Sequence, residues 1–258
     1  MSPFNYLSIC RYISNLENQI LDAGINLELR TDFGYLVRLS ESLEGKPYPT
    51  SMFNPLHHHI GPENGFWIKG TNNKGEVVHL QAVRYDDLTG SNLAREYENL
   101  TAFYSDPKIS AEDSEWCKSF APIAKKITGP SCYHGELWLR DGKGDDGFRG
   151  KGLSKLLTRL AMAIALIQWN PNYIFGYVYH TLIFNGVMAN YGYSHFQQSV
   201  VHWHRPSRKT PLDVWIVWMS RQDLIEMASN AQERDIDVLS QVTQTNQNGG
   251  PILQVAAE

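Results

Sequence analysis

Apolar positions near the start of the chain recur every three or four residues. Tyr6, Ile9, Cys10, Ile13, Leu16 and Ile20 stack on one face, which predicts an amphipathic helix over 4–22 that stops at Gly24. Residues 25–30 alternate apolar and polar, the signature of a short strand. A second helix is predicted over 32–43, with Thr31 as its cap and Gly45 and Pro47 beyond its end. Residues 46–64, rich in Pro, Asn and His, read as loop. From Gly65 the period becomes two: 66–69 and 77–85 flank a polar turn over 71–75, a β-hairpin. Residues 92–105 and 114–127 then look helical, and a strand is predicted over 132–140. After a glycine-rich loop comes the strongest helical pattern, 151–168. Leu153, Leu156, Leu157, Leu160, Ile164 and Ile167 form its stripe, and beyond Leu160 it is apolar nearly all round, as a buried helix would be. Pro171 ends it. A strand over 173–179, a short helix over 182–191 closed by Gly192, and a hairpin of 195–204 with 213–219 complete the pattern. Residues 229–258, rich in Gln, Asn, Asp and Gly, are expected to be a mobile tail.

This is a mixed α/β chain, and its composition narrows the function. The chain has 258 residues, 42% of them hydrophobic, enough to build a core. Lys and Arg number 23 against 27 Asp and Glu, a net charge of −4, which argues against a dedicated binder of nucleic acid or anionic membrane. The cysteines, Cys10, Cys117 and Cys132, are odd in number and far apart, which fits a reducing compartment. The N-terminus lacks the unbroken apolar run of a secretory signal, and the most apolar stretch, 160–169, is too short to span a bilayer. A cytoplasmic protein is expected.

The chemistry concentrates between strand 132–140 and helix 151–168. Such a junction points backbone N–H groups at one spot, at the positive end of the helix dipole, and glycines let an anion approach. The product is a phosphate or pyrophosphate cradle. A P-loop fails: Asp145 stands where its first Gly belongs, and Lys151 is followed by Gly152. Gly142, Gly144 and Gly147 match the dinucleotide fingerprint literally, but two aspartates would face the pyrophosphate and no acidic residue ends the next strand.

Arg149-Gly150-Lys151-Gly152-Leu153-Ser154, between a strand and an amphipathic helix, resembles the pyrophosphate loop of the acyl-CoA-dependent N-acyltransferases, the GNAT superfamily. Tyr191-Gly192-Tyr193 before the final hairpin is similar to the family's Gly-aromatic ending. The likeness covers about 130–220, is weak over 65–90 and is absent before residue 60. It implies a GNAT-like α+β fold, with a central mixed, mostly antiparallel sheet flanked by helices. The domain would span 61–228, preceded by an N-terminal helical extension over 1–60 packed on the core. It also implies acetyl-CoA or another acyl-CoA as co-substrate, bound by Arg149, Gly150, Lys151, Gly152, Leu153 and Ser154, and no metal. Leu139 would present its N–H to the thioester carbonyl. The acceptor would be a small-molecule or peptide amine, attacked directly in a ternary complex, with no nucleic acid or membrane involved; a homodimer stays open.

An ammonium has no lone pair, so a general base must deprotonate it. Strict alternation along 132–140 would put His134, Glu136, Trp138 and Arg140 on one face. Glu136 and then His134 are the candidate bases. The position of the family's usual proton-donating Tyr is Met188, so Tyr179 or His180 would have to substitute. The same gap motivates an alternative: a CoA- or ligand-binding module with little catalysis. A third reading, a metal-dependent β-barrel enzyme, rests on the spacing of His202 and His204. His57-His58-His59 read as loop residues. Tyr97, Phe103 and Tyr104 are candidates for a lid or for ordinary packing. Arg205, Arg208 and Lys209 form a basic loop.

Overall fold

The computed structural model describes residues 5–141, 148, 152–179 and 191–229. The first helix, α1 (Tyr6–Asp22), starts where the Asn5 side chain accepts from the Ser8 N–H, and it buries Ile9, Leu16 and Ile20 as the spacing predicts. Strand β1 (Asn26–Arg30) follows, then α2 (Phe33–Ser42). Its cap is Asp32 and not Thr31: Asp32 Oδ1 accepts from Tyr35 N at 2.9 Å. A long loop with a 3-10 turn (Ser51–Phe53) leads into the hairpin of β2 (Gly65–Thr71) and β3 (Val77–Leu88).

The stretch predicted as two helices is different. It holds only α3 (Leu93–Glu98), α4 (Pro107–Ser110), α5 (Ile123–Lys126) and a short strand, β4 (Trp116–Lys118). Leu100 and Ser114 take positive φ, 61° and 66°, which breaks both helical runs. The apolar residues at helical spacing are there because they bury: Tyr97, Phe103 and Tyr104 are each under 3% exposed. Packing against distant partners has overridden local propensity.

Strand β5 (Gly129–Leu139), helix α6 (Leu153–Trp169), β6 (Tyr173–Tyr179), β7 (His195–His204) and β8 (Leu212–Ser220) complete the order, and 221–229 are helical. The strands form an eight-stranded sheet, β1-β2-β3-β5-β6-β8-β7-β4. Every pairing is antiparallel except β5 with β6. The sheet has two free edges, β1 and β4, so it is open and not a barrel.

Two apolar layers cover it. On one face α1, α6 and the last described helix pack with Phe66, Ile68, Val83, Cys132 and Ile174. On the other, α2, α3, α5 and the loop before β2 pack with Trp67, Leu80, Tyr133, Phe175 and Trp203. Residues 5–60 are continuous with this core: β1 extends the sheet through β2, and α1 lies against α6. No described helix is long and apolar enough to cross a membrane.

Candidate active site

The one parallel pair opens the sheet. Strands β5 and β6 are in register only from Ser131–Tyr173 to Tyr133–Phe175. Beyond that point β5 stays with β3, β6 stays with β8, and the two diverge into a V. Two local features shape it. At its vertex β5 and β6 still lie close: a Cβ on Gly176 would fall 2.8 Å from the His134 carbonyl oxygen. Along β5, the register moves from Ala82–Gly135 to Leu80–Trp138, two residues on β3 against three on β5, which is a β-bulge. Glu136 sits in it with φ 57°, rare for a residue with a side chain.

The bulge overturns the alternation expected for this strand. His134 points to the α6 layer, while Glu136 turns to the opposite layer, where Lys46 and Thr50 lie. Trp138 shares the Glu136 layer, and Arg140 pairs with Glu76 at 3.0 Å. A single extra residue has moved the side chains relative to the pleat.

The V opens into a cavity of about 710 Å³. Its walls include 133–138 of β5, 176–179 of β6, the 46–52 strap and the rings of Phe103, Tyr104 and Trp203. Glu136 projects into it and is fully engaged. Oε2 accepts from Lys46 Nζ at 2.6 Å, and Oε1 accepts from the Thr50 N–H and hydroxyl at 2.9 and 3.1 Å. The Lys46 and Glu136 side chains are 3% and 4% exposed.

His134 heads a different network. Gln81 Nε2 donates to the Leu157 carbonyl of α6 at 2.9 Å, which turns Gln81 Oε1 toward His134 Nε2, 3.1 Å away. That nitrogen must carry the ring proton, so His134 Nδ1 accepts from the Tyr193 hydroxyl at 2.8 Å. Burial pushes the His134 pKa down to about 4, so the ring is neutral at pH 7. Burial also raises the Tyr193 pKa, which keeps its phenol protonated. The Tyr193 oxygen reaches the vertex of the V, 3.1 Å from where a Gly176 Cβ would be, and it lines the cavity.

The other predicted positions fall around this centre. Arg140 N donates to the Val78 carbonyl at 2.7 Å, so the amides of 138 and 140 face β3. That of Leu139 therefore faces away from β3. Leu137 lines the cavity; Leu139 lies beyond its wall and is buried. Gly152, at φ 73°, precedes Leu153 and Ser154 in the first turn of α6, and no side chain caps that turn. Arg149, Gly150, Lys151, His180, Met188 and the 229–258 tail past Ser229 lie outside the described residues. Tyr179 ends β6 on the cavity wall, 55% exposed.

His57 lines the cavity, edge-on to Tyr104, whereas His58 is buried with Nδ1 3.1 Å from the Ser105 hydroxyl. His202 and His204 both lie against the Trp116 ring. Among the described residues no group of three or more His, Cys, Asp or Glu is arranged to hold a metal. Arg205 pairs with Glu112 at 2.7 Å, and Arg205 and Arg208 border the cavity.

Lys46, Thr50 and Gln81 belong to the site although no motif points to them, and Tyr193 enters it from the segment just before β7. A loop lysine 90 positions from its partner carries no local signal. Gln81, a polar residue inside an otherwise apolar run of β3, was the available clue.

No family model matches the chain, and no curated protein matches it. Solved structures with similar folds include aminoglycoside acetyltransferase AAC(6')-Ib in complex with coenzyme A and kanamycin. It is 16% identical, with 77% of this chain and 96% of that one covered and a TM-score of 0.41. NAA60 of Arabidopsis thaliana in complex with acetyl-CoA is 10% identical over 76% and 98%, TM-score 0.41. Spermidine N-acetyltransferase of Vibrio cholerae with CoA and spermine is 12% identical over 77% and 98%, TM-score 0.41.

Proposed function

We propose that the chain is an acyl-CoA-dependent N-acyltransferase that transfers an acetyl group to a primary amine in a ternary complex. The observation that carries this is the V between β5 and β6. It opens β5 onto a cavity, and the bulge on the same strand sets a carboxylate on that cavity's wall. An acyl-CoA fits these residues. The first turn of α6 at Gly152, Leu153 and Ser154 offers N–H groups to a diphosphate, and Arg149, Gly150 and Lys151 complete the motif resembling the GNAT loop. The thioester is the electrophile that the co-substrate supplies.

The chain's own residues do the rest. Glu136 takes the proton from the acceptor ammonium, whose charge replaces that of Lys46 at the carboxylate. The Leu137 N–H, on the cavity wall beside the bulge, stabilises the oxyanion. Tyr193 turns its hydroxyl from His134 Nδ1 and supplies that proton to the departing thiolate, a role for which Tyr179 is the alternative. His134 thereby acts as a positioning residue and not as the base, because both its nitrogens are occupied. The rings of Tyr48, Phe103, Tyr104 and Trp203 suit an amine with a flat apolar body.

The engagement of Glu136 by Lys46 favours a second reading, a CoA-binding module with little turnover. Incubation with acetyl-CoA and a panel of primary amines separates the two. Acyltransfer predicts CoA release that falls by about 10²–10⁴ in Glu136→Gln. Binding without CoA release across the panel would leave the module.

A further inference from the structure

Lys46 is left over by the proposed chemistry, yet among the described residues it is the best-placed amine. It is the only lysine among the described residues that line the cavity. Its Nζ is 2.6 Å from Glu136 Oε2 and 3.1 Å from the Pro47 carbonyl, and its side chain is 3% exposed. Lys69, also ion-paired, meets Glu28 on the far β1–β2 edge, away from the V. A primary ammonium therefore already occupies the seat of an acceptor, on the carboxylate that would deprotonate it and across from the amides of β5.

We infer that Lys46 is itself an acyl acceptor: on meeting acyl-CoA, the chain acylates its own Lys46 and thereby unlocks Glu136. This rests on the acyltransferase reading. The ammonium gives one proton to Glu136. The freed lone pair attacks the thioester carbonyl carbon, a C–N bond forms and the C–S bond breaks. The electron pair leaves on the thiolate, which takes the second amine proton to become CoA thiol, and Glu136 later returns the first proton to solvent. The product amide carries no charge, so its ion pair with Glu136 is lost. The carboxylate keeps its Thr50 contacts and becomes available to an external ammonium. Acylation of Lys46 is then a priming event, and it resolves the conflict between a base and the lysine that blocks it.

The test uses the full chain with acetyl-CoA and no added amine, followed by intact mass and peptide mapping, with acetyl-CoA affinity measured in parallel. The expected result is a gain of about 42 Da, one acetyl group, mapped to Lys46. Its rate should not change with protein concentration, should exceed that of the exposed Lys74 and Lys125, and should vanish in Glu136→Gln. Lys46→Arg keeps the cation but should gain no mass at this position. With an amine present, wild type should show a lag that pre-acetylated protein lacks. A chain that binds acetyl-CoA and leaves Lys46 unmodified, or modifies it no faster than Lys74, overturns self-acylation and leaves the acyltransferase reading standing. A chain that does not bind acetyl-CoA overturns both.

Discussion

Glu136 carries three burdens at one position: a left-handed backbone, a buried charge and the proposed base. A non-glycine residue held in the left-handed region costs about 1–3 kcal/mol, which persists only where the surroundings impose it. Here the bulge imposes it, and the gain is a carboxylate turned out of the pleat into the cavity. Tyr193 shows the same economy, since one hydroxyl bonds His134 and reaches the vertex of the V. Tyr193→Phe should lower kcat by about 10–100-fold with little change in KM for acetyl-CoA, whereas Tyr179→Phe should leave kcat near wild type. Steady-state rates of the two variants decide which tyrosine donates; the opposite pattern would move the role to Tyr179.

At the scale of elements, the V depends on how closely β5 and β6 approach before they part. Gly176 permits this, because the atom a Cβ would meet is the His134 backbone oxygen, which cannot rotate aside. Gly176→Ala should destabilise the fold by about 1–3 kcal/mol and weaken acetyl-CoA binding, read from urea unfolding and titration. A neutral substitution would mean that the vertex is slack. Most elements were legible in the pattern: the helices α1, α2 and α6, the β2–β3 hairpin and the terminal β7–β8 hairpin lie where period and turn signals put them. The failures share a cause. The 92–127 segment spaces Tyr97, Phe103 and Tyr104 as a helix would, yet long-range burial and strand pairing to β7 decide its form. The bulge was invisible because strict alternation was assumed along β5, and no glycine stands at residue 136 to betray it. The glycine-rich junction was read from residue types alone, and 142–147 and 149–151 lie outside the described residues. The Lys46 contact was not legible, because it depends on how a loop is laid over the sheet.

Across the whole molecule, polar groups buried between layers make stability depend on pH. Burial pushes His58 and His79 down to about 3 and His134 to about 4. His58 and His79 each leave Nε2 without a hydrogen-bond partner among the described residues, and burial outweighs the backbone contacts that favour the charged ring. The unfolded chain takes up those protons near pH 6.5 and the folded chain does not. The stabilisation is therefore complete above pH 6.5 and is lost as pH falls toward the folded pKa values, by up to about 1.4 kcal/mol per pH unit for each histidine. Urea midpoints should be lower at pH 5 than at pH 7, and His79→Asn should flatten that slope. Equal midpoints would mean that these rings are protonated in the fold.

One interaction underlies the proposed chemistry at every scale, the grip of the β5–α6 junction and the V on an acyl-CoA. Calorimetric titration of wild type and Gly152→Asp with acetyl-CoA measures it. Gly152 has φ 73° and no described atom within 4 Å of where a Cβ would stand, so a side chain there meets backbone strain, while an aspartate carboxylate would repel a diphosphate at the start of α6. Saturable binding of one acetyl-CoA per chain, weakened at least about tenfold in the variant, is the predicted result. Absence of binding to wild type, or equal affinity in both proteins, would contradict it.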